Sequence, residues 1–188
     1  MASVGIVGLG LIGGALARRL GKNGDAPLVF DLQQNLVNAA VEAGASAAGS
    51  SRELAERCDL VLVCVQTDGQ CVAAISGDDG LLQGASPGSC IAVLSTVMPA
   101  TILSLAALAA ARRVDLVDTP VAGRGMFSVA DGTMSVLVGN DGELVKRLEP
   151  TLRRFASRVA SAGGLGSAAA LKLAHNVVVY AGFAAMID

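Results

Sequence analysis

The sequence predicts an α/β protein: a doubly wound, mostly parallel sheet followed by a long C-terminal helix. Short apolar runs alternate with longer Ala- and Leu-rich segments, which is the rhythm of strand, crossover helix and parallel strand. Most of the short runs are continuously apolar, as is typical of strands buried on both faces. We expect strands at 4–7, 28–30, 60–65, 91–94, 115–118 and 134–138, a short strand near residue 45, and helices at 13–20, 36–43, 51–56, 70–75, 101–111 and 143–155.

The chain has 188 residues, which is room for one ordinary domain with a sizeable core. A glycine cluster at 163–166 precedes an apolar stretch, 167–187, that contains no proline and predicts one long helix. We therefore divide the chain into a domain at 1–165 and a helix at 166–188 that leaves it. Exposed apolar residues on that helix would favour association, so we expect a homo-oligomer formed through it. These residues are Val177, Val178, Val179, Tyr180, Phe183, Met186 and Ile187.

Composition argues against several partners. A net charge of −2 and a pI near 5.4 leave no excess positive charge to attract nucleic acid or a membrane surface. The four cysteines form no CxxC pair, which favours structural thiols in a reducing compartment over a disulfide or metal site. The N-terminus has no secretory pattern, and no uncharged apolar run reaches the ~18 residues of a membrane span. We expect a cytoplasmic protein.

The segment Gly8-Leu9-Gly10-Leu11-Ile12-Gly13 matches the pattern GxGxxG between the first predicted strand and the first predicted helix. That context is typical of a Rossmann-type dinucleotide-binding fold. Gly8 would permit the tight turn, Gly10 the approach of the pyrophosphate, and Gly13 close packing of helix on strand. The helix N-terminus would then bind the anion. An ordinary turn between a strand and a helix is the alternative.

Asp31 closes the second predicted strand, about 20 residues after the glycine turn, where a ribose-binding acid is expected. Its carboxylate would accept hydrogen bonds from the ribose hydroxyls and repel a 2′-phosphate. Leu32, Gln33 and Gln34 follow, so no arginine stands beside it to bind that phosphate. The sequence therefore predicts NAD rather than NADP as the cofactor, the alternative being that Asp31 is a solvated loop acid.

Further motifs follow in order: Ser95-Thr96-Val97-Met98-Pro99, Asp118-Thr119-Pro120-Val121, Gly132-Thr133, and Lys172 with Asn176. With the glycine turn, they make the chain resemble the β-hydroxyacid dehydrogenase family, which includes 3-hydroxyisobutyrate and tartronate semialdehyde enzymes, over nearly its whole length. The resemblance implies an NAD-dependent oxidoreductase that interconverts a small β-hydroxy acid and its semialdehyde or keto acid. Family members continue into an all-helical second domain that closes over the nicotinamide, and these 188 residues lack it.

The resemblance also assigns cofactor residues beyond the glycine turn. It places Thr96 near the nicotinamide, and we expect Val65, Gln66 and Thr67 to belong to the cofactor site as well. A structural role is open for the first position: Ser95 and Thr96 could cap the helix that follows, with Pro99 in its first turn.

The segment after Pro120 resembles the family's substrate-binding loop, which usually reads Asp-Ala-Pro-Val-Ser-Gly-Gly. Here Ala122 replaces the serine and Arg124 stands where glycine is common, with Gly123 between them. The stretch from 118 to 132 is also one residue longer than usual. Arg124 could bind a substrate carboxylate in a bidentate fork, or it could be a solvated loop arginine.

Lys172 and Asn176 lie one helical turn apart on one face, with Cβ atoms about 6 Å from each other. The resemblance implies that Lys172 is the catalytic acid/base and that Asn176 orients the substrate or the lysine. Oxidation of an alcohol requires a group that takes the hydroxyl proton, and partial burial would lower the pKa of a lysine toward that task. A surface lysine and a polar asparagine are the alternative. His175 points about 100° away from Asn176, and we expect a structural role for it.

Two other functions compete with this interpretation. Imine reductases have a similar architecture, but they usually lack the catalytic lysine, so Lys172 argues against them. A cofactor-binding module with little turnover is also open, because the second domain is absent.

Overall fold

The computed structural model describes residues 3–187 and confirms the predicted doubly wound sheet. Its six strands are β1 (Val4–Val7), β2 (Leu28–Phe30), β3 (Ser46–Ala47), β4 (Leu60–Val63), β5 (Cys90–Val93) and β6 (Asp115–Asp118). All are parallel, in the order β3-β2-β1-β4-β5-β6. The order reverses direction between β1 and β4, which creates the crevice where such sheets bind ligands.

The helices of this half are α1 (Leu11–Lys22), α2 (Gln34–Glu42), α3 (Ser51–Arg57), α4 (Asp68–Ser76), α5 (Leu81–Gly84) and α6 (Pro99–Ala110). The first begins two residues before the predicted start at Gly13, with Gly10 as its N-cap. Glycine has a low helix propensity, yet Gly13 and Gly14 are both buried inside the helix, as the predicted range 13–20 requires. The single turn α5 was not predicted.

The chain then forms a second, smaller sheet. Its elements are β7 (Val121–Ala122), α7 (Met126–Asp131), β8 (Met134–Val138), α8 (Glu143–Leu152) and β9 (Ala156–Ser161). β8 pairs antiparallel with β7 and parallel with β9. The strand predicted at 134–138 is therefore present but outside the main sheet. The helix predicted to reach residue 155 ends at Leu152, because the chain turns into a strand that the sequence analysis missed.

The core lies on both faces of the main sheet, as the continuous apolar runs predict. Successive side chains of a strand point to opposite faces. Ile6 and Leu62 accordingly belong to the cluster on one face, and Val61 and Val63 to the cluster on the other. This burial holds the strands rigidly and leaves the loops at their carboxyl ends to carry function.

The long helix α9 (Ser167–Ile187) packs against the rest of the domain through its N-terminal turns. Ala168 and Ala169 are buried, and the helix contacts α6, β6 and β8. The predicted end at Asp188, and the side chain of Ile187, lie outside the described residues. By length and composition alone α9 could also cross a membrane, although Lys172 lies within it. Its large exposed apolar side chains are Leu171, Val177, Val178, Tyr180, Phe183 and Met186.

Candidate cofactor and substrate site

The segments predicted to carry function all follow strands of the main sheet or begin α9. The glycine turn follows β1, Asp31 follows β2, the 65–67 segment follows β4, Thr96 follows β5, and the 122–124 segment begins at the end of β7, the short strand that comes after β6. Because the strands are parallel, their carboxyl ends share one edge of the sheet. The topology therefore brings these segments to the edge at which open α/β sheets bind ligands.

Two positions of the turn admit only glycine. Gly8 has φ +87°, and a Cβ atom there would lie 2.6 Å from the Cys64 carbonyl oxygen. A Cβ atom on Gly13 would lie 1.8 Å from the Gly8 carbonyl oxygen. The backbone of α1 thus packs directly against the end of β1, as the sequence analysis expected for both residues.

The start of α1 fits an anionic group. Within residues 3–187, the N–H groups of Leu11, Ile12 and Gly13 have no hydrogen-bond acceptor. The helical hydrogen bonds of α1 start at Gly14, whose N–H donates to the Gly10 oxygen at 2.9 Å. A Cβ atom on Gly10 would meet nothing within 4 Å, so the space over the turn is open. Free donors at the positive end of a helix dipole match a pyrophosphate.

Asp31 joins the end of β2 to the glycine turn. Its Oδ2 accepts a hydrogen bond of 2.6 Å from the Leu9 N–H, and its Oδ1 accepts one of 2.8 Å from the Gln33 N–H. Each carboxylate oxygen keeps a lone pair for a further donor such as a ribose hydroxyl. The neighbouring Leu32 is 92% exposed, so this end of the crevice is open. The contact with Leu9 was not foreseen, since spacing along the chain does not show which N–H faces the carboxylate.

The segment after β4 is shaped by its own helix cap. Thr67 Oγ1 accepts from the Gln70 N–H at 3.2 Å, while Gln70 Oε1 accepts from the Thr67 N–H at 3.3 Å and from the Gln66 N–H at 2.9 Å. This is a capping box, which satisfies free donors at the start of α4. Val65 is half-buried, whereas Gln66 and Thr67 are exposed toward solvent. Their cofactor role stays a prediction.

The structure contradicts the capping alternative for Ser95 and Thr96. The N-cap of α6 is Met98, with Pro99 in the first turn as expected, and the cap acceptor comes from another helix. Asp68 Oδ1 accepts from the Met98 N–H at 2.9 Å. Ser95 instead donates its hydroxyl to the Val63 oxygen at 3.4 Å. The half-buried Thr96 makes no side-chain hydrogen bond within residues 3–187, which leaves its hydroxyl available to a ligand.

The predicted substrate loop leads from β7 into α7. Ala122 is half-buried, and Gly123 and Arg124 are exposed. The Arg124 N–H donates to Ser128 Oγ at 2.6 Å, and its guanidinium lies 3.5 Å from the Asp131 carboxylate, with 77% of the arginine side chain exposed. Over residues 3–187, no hydrogen bond or ion pair links Arg124 with Lys172 or Asn176. The structure thus shows a solvated loop arginine, and its contact with substrate stays a prediction.

Lys172 and Asn176 are both half-buried on α9, whereas His175 is exposed. Burial lowers the pKa of the Lys172 amine below its usual value. This is the environment that the sequence analysis required of a lysine acting as acid and base. The exposed position of His175 gives it no place in the core.

Asp118 is the functional-site residue whose role the sequence analysis missed. It is 1% exposed at the end of β6. Its Oδ1 accepts from the Gly166 N–H at 2.9 Å and its Oδ2 from the Ala169 N–H at 2.8 Å. The acid therefore caps the helix that carries Lys172. The motif included Asp118, but the partners lie 48 and 51 residues away, and no local pattern connects them.

The cysteines do not form a reactive site. Cys58, Cys71 and Cys90 are buried and Cys64 is half-buried. Burial raises the pKa of the Cys58 thiol to about 11 and those of the other three thiols to about 12. Thiols with such values stay protonated at neutral pH and are poor nucleophiles. In the part of the chain that the structure describes, no group of three His, Cys, Asp or Glu side chains could hold a metal ion.

The parallel sheet, the glycine turn with its free N–H groups and Asp31 together define a Rossmann-type dinucleotide-binding domain. Residues 3–164 match the family model of the NAD binding domain of 6-phosphogluconate dehydrogenase. The chain belongs to this family, and its relatives are oxidoreductases of the hydroxyacid dehydrogenase type.

Named relatives cover nearly the whole chain. It is 35% identical to an uncharacterised oxidoreductase of Mycobacterium tuberculosis, with 98% of this chain and 62% of the relative aligned. It is 32% identical to 3-hydroxyisobutyrate dehydrogenase of Pseudomonas aeruginosa, over 95% and 60% of the two chains. A crystal structure of a putative oxidoreductase from Mycobacterium avium superposes with a TM-score of 0.91 at 31% identity, over 98% and 65%. The chain thus spans under two thirds of the length of these relatives.

An imine reductase from Myxococcus stipitatus, solved with NADP+, also superposes with a TM-score of 0.90, but at 17% identity. At that identity the likeness concerns the fold alone. The predicted similarity of architecture is confirmed, and the choice between the two chemistries depends on the site residues.

Proposed function

We propose that the protein is an NAD-dependent oxidoreductase that interconverts a small β-hydroxy acid and its semialdehyde or keto acid. One observation carries the proposal. Lys172 is half-buried, burial lowers its pKa, and the helix on which it lies is capped by Asp118 at the end of β6. That strand end belongs to the same sheet edge as the glycine turn. The helix that carries this amine is therefore fixed to the sheet edge that bears the glycine turn, which supports a role for the amine in proton transfer.

The choice of NAD rests on Asp31. Its carboxylate already accepts two backbone hydrogen bonds, and a 2′-phosphate would meet like charge there. The free N–H groups of the first turn of α1 would hold the pyrophosphate. Thr96, Val65, Gln66 and Thr67 would lie toward the nicotinamide half.

NAD supplies the hydride chemistry: its nicotinamide takes a hydride from the alcohol carbon and returns it in the reverse direction. The Lys172 amine, when neutral, accepts the proton that the substrate hydroxyl must lose. In the reduction, the Lys172 ammonium donates that proton to the carbonyl oxygen. Asn176, one turn further along the same face, orients the substrate or the amine.

The substrate loop would bind the acid group of the substrate. Ala122 ends β7, Gly123 and Arg124 follow it, and the exposed guanidinium of Arg124 is free to leave its weak surface pair with Asp131. A bidentate contact with a carboxylate would be the stronger interaction once it is shielded from water. We therefore propose a small anionic hydroxy acid as the substrate class.

A panel of small hydroxy acids with NAD, followed by the absorbance of reduced nicotinamide, tests the function. We expect turnover with at least one β-hydroxy acid and little turnover with NADP. Cyclic imines with NADPH form the second arm of the panel. Turnover in that arm alone would overturn this proposal and would indicate an imine reductase instead. Lys172 is the feature that favours the first arm.

A cofactor-binding module with little turnover is the second candidate. The observation that favours it is the matched family model, which over residues 3–164 describes an NAD binding domain and not a catalytic one. Calorimetry separates the two functions: NAD binding without turnover, in this chain and in any longer natural form, would identify the module.

We further propose that the protein works in the cytoplasm as a homo-oligomer that associates through α9. The apolar side chains exposed along that helix support association, because burying each would contribute about 1.5–3 kcal/mol. A membrane or nucleic-acid partner has no support in the net charge of −2.

A further inference from the structure

We propose that Asp118 is the residue that positions Lys172, by fixing the first turn of α9 to the end of β6. The inference rests on the proposed function for the role of the lysine, but its structural part stands by itself. Both carboxylate oxygens accept backbone N–H groups of α9, from Gly166 and from Ala169. Lys172 follows Ala169 by about one helical turn, so the height and rotation of its Cα atom are set by this cap.

The carboxylate has no room to move. A Cβ atom on Gly139, at the end of β8, would lie 1.8 Å from Asp118 Oδ1, which shows how closely that backbone approaches. The Gly139 N–H also donates to the Asp118 carbonyl oxygen at 2.8 Å. The main sheet, the second sheet and α9 therefore meet at one side chain, and only a glycine at 139 leaves space for it.

The charge of Asp118 is compensated by the helix alone. Across residues 3–187 it forms no ion pair, and its partners are two N–H groups at the positive end of α9. Hydrogen bonds to a charged acceptor are roughly twice as strong as neutral ones. A buried carboxylate without this cap would be costly, so folding of the helix start and burial of Asp118 depend on each other.

Asp118 does not act as a catalytic residue. At 1% exposure it reaches neither cofactor nor substrate, and it acts through the helix. The glycine turn and Asp31 belong to β1 and β2, and β6 is the far edge strand beyond β4 and β5. Loss of the cap should therefore impair the step that uses Lys172 and leave NAD binding unchanged.

The test compares Asp118→Asn, Asp118→Ala and the control Asp115→Asn, which changes a half-buried aspartate at the other end of the same strand that pairs with Arg147 and not with α9. The asparagine keeps one acceptor oxygen, so it can satisfy one of the two N–H groups, and the alanine satisfies none. We expect amide exchange at 169 and in the following turn to rise about 10- to 100-fold in the alanine variant and less in the asparagine variant. Exchange in β1 and β4 should not change.

Kinetics supply the second readout. We expect kcat to fall in the order wild type, Asp118→Asn, Asp118→Ala, with the NAD dissociation constant within about twofold. Displacement of the first turn would expose the Lys172 amine, so the limb of the pH–rate profile that belongs to it should move toward the pKa of an ordinary lysine. A purely structural role would lower the amount of folded protein without moving that limb.

Each outcome decides a separate point. Unchanged exchange at 169 in Asp118→Ala would overturn the positioning role, whatever the activity. Faster exchange there with unchanged kcat and an unmoved pH limb would also overturn it. Loss of NAD binding in both variants would show a general structural role instead. Ordinary turnover in Lys172→Ala would refute the proposed function, while the exchange data would still decide whether Asp118 fixes the helix.

Discussion

The carboxylate of Asp68 accepts a hydrogen bond of 2.5 Å from the hydroxyl of Thr101. The same oxygen accepts from the Met98 N–H, so an acid in the first turn of α4 caps the start of α6. The starts of α4 and α6, which follow the neighbouring strands β4 and β5, are thereby joined. Asp31, Asp68 and Asp118 act alike: each carboxylate ties one strand end or loop to the next element along the sheet edge.

We expect Asp68→Ala to destabilise the fold by about 0.5–2 kcal/mol, the usual cost of a lost helix cap. Chemical denaturation of both proteins measures the difference. Asp78→Asn is the control, since Asp78 is exposed and makes no side-chain hydrogen bond within residues 3–187. An equal loss in the control would show that the Thr101 contact contributes nothing specific.

The contribution of Asp68 should depend on pH. The hydrogen bond from Thr101 is the main cause that lowers the pKa of this carboxyl below its ordinary value of 3.8. A lowered pKa in the folded state adds stability that is present above the unfolded pKa and disappears as pH falls through the folded one. The difference between wild type and Asp68→Ala should thus be constant near neutrality and shrink below about pH 4. A difference that grew with acid would contradict the assignment.

Substitution of Asp31 should narrow the preference for NAD over NADP. Asp31→Asn keeps an oxygen for the Leu9 N–H but removes the negative charge, so NADP binding should improve while the turn stays ordered. Asp31→Ala also loses the turn contact, and NAD binding should weaken about 10- to 100-fold. Calorimetric titration with both cofactors measures the effects. Equal affinities of the unaltered protein for NAD and NADP would refute the cofactor assignment.

The chain should self-associate through α9. We expect Val178→Glu combined with Phe183→Glu to shift the protein toward monomer, because both side chains are exposed apolar positions of that helix. Val41→Glu, an exposed apolar position on α2, is the control and should leave the mass unchanged. Light scattering over a range of concentrations decides the matter, and a monomer at every concentration would disprove the association.

Sequence patterns predicted the features that depend on neighbouring residues. The apolar runs located the six-stranded sheet, and the glycine spacing located a turn where Gly8 and Gly13 leave no room for a Cβ atom. The sequence pattern did not predict β9. Its residues, from Ala156 to Ser161, are largely polar or partly exposed and contain no apolar run. Local patterns cannot show contacts between distant segments.

The capping residues illustrate that limit. Ser95 and Thr96 were reasonable caps for α6 because they precede it, yet the acceptor is Asp68, 30 residues earlier. Asp118 likewise caps a helix 48 residues later. An acidic residue after a buried strand indicates that its carboxylate needs hydrogen-bond donors, but only the fold shows which residues supply them.

Lys172→Ala should abolish turnover and leave NAD binding nearly intact. The glycine turn and Asp31, the proposed contacts of the pyrophosphate and ribose, follow β1 and β2, whereas the lysine lies on α9, which contacts the far edge strand β6. Loss of a general acid or base typically lowers the rate by about 10²- to 10⁴-fold. Both kcat and kcat/KM should fall, because the missing group acts in the transition state.

The pH profile identifies the group. Alcohol oxidation needs the neutral amine, so its rate should rise with pH through the pKa of Lys172, which burial places below 10.5, and the variant should lose that limb. Arg124→Ala should mainly raise KM if the guanidinium binds a carboxylate, and the exposed His175→Ala should change neither constant. The comparison requires a form with measurable turnover. If Lys172→Ala kept ordinary turnover in that form, α9 would carry no acid/base and the reaction would have to use another proton carrier.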